Sequence, residues 1–489
     1  IPGVDAVFKQ IEPDKFNDTS RLAGSVKRIK DLPFALSESL AVMGHSVHPD
    51  FIRFVSDYQI VRGINKFLYK LSNYNPQKAR YFHPPELGCT NPLIKNYGKK
   101  LFKRVSQICC IASGGSSGPK VCLYIPCNNY CMGEGNEIAK IIEDLARKLA
   151  YNQIEFDYVW EGSFNSYYIR DKKIVLGDEI YHCLIIPEKS KPSDSEMLLI
   201  KHLAEQGTAI ISPEIFRLPG PNIRYSSCLD EIIDLLQEQI KAYSLSIKPK
   251  NLSISVLTRI YDSYQFYMLL NESAKSFNCK VKLRYQGNVY LMEQNSECLL
   301  PMGGNNIPLN FKPSETKILV LDTGSSKKIE SARLKHRIKP KNWKLKLPSG
   351  EIVSIKEPFP LWNNLGYEGY SGFMDYYAEF ICDKHINPAI LELGTVYYCA
   401  TCFIDNKKAG DAIFTPYRII LKNLSRGKHS LKIRVFNTPA NEICGDKTRF
   451  RRLQQKGVFN GTYAPIYLSI DRKKIASGLL GKVRIYSIF

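Results

Sequence analysis

The chain has 489 residues, 44% hydrophobic and 11% aromatic, which is enough for several packed domains and too apolar for a disordered chain. Lys and Arg number 68 against 47 Asp and Glu, a scattered +21; no helix-turn-helix, zinc-finger or aromatic RNA-binding signature accompanies it, so nucleic acid is not an expected partner. No apolar run of about 18 residues is present to cross a membrane, and "IPGVDAVFKQI" lacks the basic and apolar regions of a secretion signal.

Residues 1–30 are polar with one apolar patch. "DLPFALSESLAV" then reads as a short buried strand ending at Glu38. In "HPDFIRFVSDYQIVRG", Pro49 suits a first helical turn, while Phe51, Phe54, Val55, Tyr58 and Val61 recur at helical spacing up to Gly63. "NKFLYKLSNY" predicts a second strand. The segment 34–75 is thus a βαβ unit with Glu38 where its first strand gives way to a loop, the end that carries chemistry in α/β folds. Glu38 is therefore a candidate acid or base. The alternative is a structural strand-end glutamate. Ser37 and Ser39 are expected to leave room for a ligand beside it. His45 shares its loop and is a candidate for sugar hydroxyls, against a plain surface histidine. Asp57, inside the helix, is read as a surface or helix-pairing residue.

From 119 a second α/β pattern begins. The strands are "PKVCLYIP", "IEFDYVWEG", "IYHCLIIP" and "TAIISPE"; the helices are "GEGNEIAKIIEDLARKLAYN", "SDSEMLLIKHLAEQG" and "SCLDEIIDLLQEQIKAY". Such alternation predicts a parallel sheet covered on both faces. "ASGGSSGP" precedes its strand instead of following it, so it reads as a flexible linker and not as a phosphate loop. After about 250 the pattern turns to antiparallel β, and 366–489 is also all-β, with "DNKK" as a tight turn between long strands. The fourteen cysteines are irregularly spaced and read as free thiols. Cys399 and Cys402 of "CATC" lie in a strand, where residues three apart face opposite sides, which argues against a metal or redox pair. No metal-ligating pattern emerges.

The last segment resembles the jelly-roll sugar-binding domain of family 2-like glycoside hydrolases. The resemblance is carried by "YSGFMDYYAEF", "LELGTVYYCATCFIDNKKAG", "TPYRIILKNLSRGKHSLKIRVFNTPAN" and "SGLLGKVRIYSI". Asn406–Lys407 stands where the family usually has Asn–Gly, and Lys482 where proline is common. The order of parts, from the "SES" strand through "DYQIVRGINKF", the α/β domain and "YMLLNES" to the jelly roll, resembles the bacterial α-L-rhamnosidases of glycoside hydrolase family 106. That resemblance implies four parts: the C-terminal part of a (β/α)8 catalytic barrel at 1–115, an amidotransferase- or flavodoxin-like doubly wound domain at 119–248, a β-sandwich at 250–360, and a galactose-binding-like jelly roll at 361–489. It further implies hydrolysis of rhamnose-containing glycans, with Glu38 as the catalytic carboxylate and His45, Asn65, Asn73 and Tyr74 as substrate contacts. Lys70 stands where relatives often have histidine. An oligo- or polysaccharide is the expected partner, a calcium ion near the sugar is admitted, and a periplasmic or secreted setting is compatible with the full-length parent. Glycoside hydrolysis needs two carboxyl groups; only Glu38 is well placed in this sequence, and its partner is expected on other barrel strands. Tyr81, Phe82, His83, Trp362 and Tyr370 are aromatic candidates for stacking on a pyranose. The reading from a different class is a non-catalytic carbohydrate-binding or scaffold protein that keeps the accessory domains.

Overall fold

The computed structural model describes every residue except 8–9, 71–84, 89, 326, 328, 446–447, 449–450, 453–454, 456–474 and 489, and the side chain of His336. It is a mixed α/β molecule of many sheets, in which a small parallel sheet and three helices form the piece against which the other parts pack.

The parallel sheet has three strands: β1 (Gly3–Ala6), β2 (Leu36–Ser39) and β3 (Lys66–Tyr69). They are connected through helices α1 (Thr19–Ile29) and α2 (Pro49–Ile60), and α3 (Pro92–Ser113) follows. The α2 helix starts as its sequence predicts, with Pro49 in the first turn and His48 as N-cap, its Nδ1 accepting from the Phe51 amide at 3.4 Å. Two elements, β1 and α1, come from the stretch read as polar. The α1 helix buries a face that includes Arg21 and Arg28 beside Ala23 and Gly24, so its inner side is partly ionic and holds few large apolar residues. Gly24 is required by contact: a Cβ there would lie 2.2 Å from the Arg62 carbonyl and 2.9 Å from the Gly63 Cα.

In the second part, strands Ile223–Tyr225, Ile210–Ser212, Glu179–Ile185, Lys120–Tyr124 and Glu155–Val159 lie parallel in that order. An antiparallel hairpin, Tyr167–Arg170 with Lys173–Leu176, extends the sheet beyond what its periodicity predicts. "ASGGSSGP" is not a free linker: Ser116–Ser117 pairs with Arg259 and Ile260 as the edge of a six-stranded antiparallel sheet. That sheet faces the three strands Leu245–Lys248, Phe277–Leu283 and Asn306–Phe311 across an apolar core.

The last sheets begin earlier than residue 361. Leu334–Ile338 pairs with Arg484–Ile488, and Lys341–Lys346 pairs with Phe373–Cys382; Trp343 and Leu345 belong to the same core as Trp362 and Ile433. In this part Asp405 and Asn406 both take positive φ, 49° and 65°, and make the two-residue turn between Cys399–Ile404 and Lys407–Ala412. The Asn-Thr-Pro-Ala-Asn stretch locks loops together: Asn437 Nδ2 donates to the Tyr370 carbonyl at 2.6 Å and to Ser477 Oγ at 2.9 Å, and Asn441 Nδ2 donates to the same Ser477 Oγ at 2.7 Å. Cys399 and Cys402 do face opposite sides, each buried in a different core, and burial pushes both thiols up.

Asp57 corrects the surface reading. It is fully buried, takes a bidentate pair from Arg104 of α3 at 2.6 and 2.8 Å, and accepts from Thr316 Oγ1 of the sandwich at 2.5 Å. Arg62, also fully buried, joins more of the chain. Its Nε donates to Asp18 at 2.8 Å, its Nη1 and Nη2 donate to Glu272 of the sandwich at 2.7 and 3.1 Å, and Nη1 also donates to the Tyr58 carbonyl at 3.0 Å. Tyr158 and Tyr151 of the doubly wound part donate to Asp18 and Glu272, at 2.9 and 3.2 Å. The C-terminal β part is tied on by Thr415, whose amide and hydroxyl donate to Asp50 at 3.1 and 2.7 Å, and by Tyr398, stacked on His48 at 4.3 Å.

Removing one partner of a buried ion pair costs about 3–5 kcal/mol, because the other charge stays buried without compensation. Arg62→Met should therefore lower the denaturant midpoint strongly or abolish soluble expression. Lys103→Ala, which breaks an exposed pair with Glu297, should leave the midpoint nearly unchanged. Equal effects of the two changes in urea melts would contradict this account.

Candidate active site

The register of the parallel sheet fixes the site. Asp5, Glu38 and Leu68 are direct neighbours across β1, β2 and β3, each the third residue of its four-residue strand. Side chains in register on parallel strands share a face. All three are exposed. The opposite face, with Val4, Ser37 and Phe67, turns toward the helices, where Val4 and Phe67 pack on Ala23, Ala35 and Ile64.

This geometry changes the role expected of the flanking serines. Ser37 and Ser39 are buried on the helix side, 2.9 Å apart, and Ser39 Oγ accepts from Gln59 of α2 at 3.0 Å. They anchor β2 to its helix and open no space beside Glu38. They do fix which way Glu38 faces: with both neighbours tied to the helix side, the alternation of the strand sends the carboxylate outward.

His45 lies in the loop after β2, at the strand end expected for it, and is buried. That loop is tightly turned: Leu40, Val42 and Gly44 have φ of 73°, 63° and 86°, and β-branched Val42 is rarely found in the left-handed region. Asn65 sits at the other end of the sheet. It precedes β3, and its amide is used structurally: Oδ1 accepts from the Ala35 amide at 2.9 Å, and Nδ2 donates to the Pro33 carbonyl at 3.0 Å and Ser113 Oγ at 2.8 Å. It is not brought to Glu38. Asn73, Tyr74, Tyr81, Phe82 and His83 lie outside the described residues. Trp362 is a core residue, fully buried, with Nε1 donating to Tyr376 Oη at 2.8 Å, and Tyr370 Oη donates to the Phe373 carbonyl at 3.0 Å.

Sequence reasoning missed Asp5, the carboxylate in register with Glu38. Its signal was the parallel between "GVDA" and "LSES", an acid among small residues in each, which is visible only once β1 is known to be a strand. Two adjacent carboxylates on an exposed sheet face can protonate a leaving oxygen and serve a water or attack a sugar carbon. Among the described residues no group of three or more His, Cys, Asp or Glu side chains is placed to hold a metal ion.

No family profile and no curated protein matches the sequence. The fold does have counterparts among solved structures. The rhamnosidase from Novosphingobium sp. PP1Y superposes with a TM-score of 0.74 at 15% identity, over 99% of this chain and 51% of that one. The chain thus spans about half the length of that enzyme. The β-galactosidase from Bacillus circulans sp. alkalophilus gives a TM-score of 0.46 at 12% identity over 63% of this chain and 59% of its own. The α-L-fucosidase isoenzyme 2 from Paenibacillus thiaminolyticus gives 0.41 at 11% over 65% of each. The first of these likenesses, running through the whole chain, gives it a glycoside-hydrolase-like fold.

Proposed function

We propose that this chain acts in hydrolysis of O-glycosidic bonds in rhamnose-containing glycans, as an α-L-rhamnosidase-like protein of the family 106 kind, with Glu38 as acid, base or nucleophile. The observation that carries the reading is the register pair Asp5–Glu38, exposed on the face of a parallel sheet turned away from its helices. Neighbouring strands lie about 4.8 Å apart, so carboxyls in register fall nearer the ~5 Å of a retaining pair than the ~6.5–9.5 Å of an inverting one. In this reading Asp5 supplies the second carboxylate and His45 lines the loop above it. One observation favours the second reading, a non-catalytic carbohydrate-binding scaffold: the sheet has three strands among the described residues, where a closed barrel has eight.

The test is hydrolysis of an aryl α-L-rhamnoside, with aryl β-galactoside and α-fucoside in parallel. Glu38→Gln is expected to lower kcat by about 10²–10⁴-fold, the usual worth of a general acid or base, with the melting temperature unchanged. Asp5→Asn should lower kcat in the same assay. Asn65→Ala should cost a modest amount of stability, about 0.5–1.5 kcal/mol for the bonds it loses, and leave kcat within twofold. Wild-type turnover of the other glycosides alone would keep the roles and remove the sugar; no turnover of any would favour the scaffold.

Lys70 adds a pH dependence. It follows β3, its amide donates to the Ser39 carbonyl at 3.0 Å, and partial burial lowers its pKa to about 8, opposed by the charge of Glu86. A lysine whose folded pKa lies below its unfolded value of about 10.4 costs stability while charged, and that cost is relieved as pH rises from about 8 to about 10.4. Lys70→Met should thus be more stable than the wild type at pH 7, and the gap should narrow across that window in thermal melts. A constant gap would count against it.

A further inference from the structure

The outer face of the jelly roll carries a row of side chains that nothing above uses. Register places Lys344, Tyr377, Lys432 and Phe403 side by side on four successive strands of the six-stranded sheet. Their neighbours in sequence, Leu345, Tyr376, Ala378, Leu431, Ile433 and Cys402, fill the core, so the row faces outward. Lys432 Nζ lies 4.0 Å from the centre of the Phe403 ring, and Tyr377 is half-buried between the two lysines. Lys344, Tyr377 and Lys432 of the row line a groove of about 840 Å³, together with Trp343, Lys356, Asn342, Asn406 and Ser430. A second groove, of about 500 Å³, shares Asn342 and Glu379 with the first and adds Arg337, Lys339 and Lys341.

The charge of this surface is unbalanced. Of the two carboxylates lining the larger groove, Glu379 is paired with Lys428 at 3.0 Å, and Glu357 with Arg484 at 2.8 Å. Lys344, Lys356 and Lys432 have no carboxylate within ion-pair distance among the described residues, and the adjoining groove adds Arg337, Lys339 and Lys341 against one further carboxylate, Asp383. An aromatic ring of this kind stacks on the apolar face of a pyranose. Amide and hydroxyl side chains beside it suit sugar hydroxyls, and lysines on both sides, two strand spacings or about 10 Å apart, suit negative charges carried at intervals along a chain.

We propose that this face binds an anionic polysaccharide, a glycan bearing carboxylate or sulfate groups, with Tyr377 under one sugar ring and Lys344 and Lys432 on its charged groups. The amide and hydroxyl side chains of Asn342, Asn406 and Ser430 along the groove suit the many hydroxyls of a sugar chain, and single-stranded DNA is the competing polyanion in the test. The site lies on different strands from Glu38, and its occupancy does not depend on hydrolysis.

The test is binding by the full chain in affinity electrophoresis and calorimetry. The probes are polygalacturonate, a sulfated galactan, neutral dextran, single-stranded DNA and anionic phospholipid vesicles. At least one of the two anionic polysaccharides should bind, more weakly as salt rises, and which one binds best distinguishes carboxylate from sulfate. The double change Lys344→Gln/Lys432→Gln and the single change Tyr377→Ala should each weaken that binding by about tenfold or more, which is about 1.4 kcal/mol. Tyr377→Leu, which keeps apolar volume without a ring face, should behave as Tyr377→Ala and guards against misfolding of the latter. Equal retention by dextran, wild-type affinity in the variants, or preferential binding of DNA or vesicles that survives Tyr377→Leu would overturn the proposal.

Discussion

One buried guanidinium joins three of the four parts of the molecule. Arg62 leaves the end of α2, lies 3.7 Å over the Tyr58 ring and divides its donors between Asp18 and Glu272. Asp18 also takes Tyr158, while Glu272 takes Tyr151 and Ser255 Oγ at 2.6 Å. Through one side chain the small parallel sheet, the doubly wound part and the sandwich share a charge network. The planar fork of arginine suits this, because it meets two carboxylates in fixed directions, which a lysine cannot do. Asp157 does the same work at a second junction, holding Arg28 of α1 and Lys120 together, and those charges keep its carboxyl well below the ordinary aspartate range despite full burial.

The site follows from that arrangement. Because α1 and α2 are fixed to the other parts by their charged faces, the sheet they carry presents its remaining face, with Asp5 and Glu38, outward. The groove on the C-terminal β part follows a different logic, a sheet face with charge on its outer residues. The two surfaces differ in kind: two carboxylates in register at the first, an aromatic ring between two lysines at the second.

Much of this was legible in the residues. The strand-loop-helix order around Glu38, the parallel sheet after 119, the turn at Asp405–Asn406 and the opposed faces of Cys399 and Cys402 all follow from period and turn chemistry. What was not legible had physical reasons. The β1 strand has four residues, too short to show a period, and among the described residues only β2 pairs with it. The α1 helix buries arginines, so apolar counting passes over it. The α3 helix was open to detection: Leu93, Tyr97, Leu101, Val105 and Ile108 keep helical spacing behind the Asn91 cap and Pro92. Asp57 and Asn65 looked like surface and ligand residues because their partners, Arg104 and Ser113, belong to that overlooked helix.

The two-residue strand Ser116–Ser117 has a consequence for how the molecule assembles. The chain leaves the sandwich sheet there, builds the whole doubly wound part, and returns to pair at Arg259, 142 residues later by the Arg259–Ser117 bond. Loop closure grows only with the logarithm of length, about 0.6 kcal/mol for each doubling, so an excursion of that size is little dearer than one half as long. Ser116 and Ser117 cover only Arg259 and Ile260 of the Ile254–Ile260 edge; the Thr258 amide donates to Glu155 and the Ile254 carbonyl accepts from Gln153, so the inserted α/β part itself shields the remainder of a sheet edge that could otherwise pair with another chain.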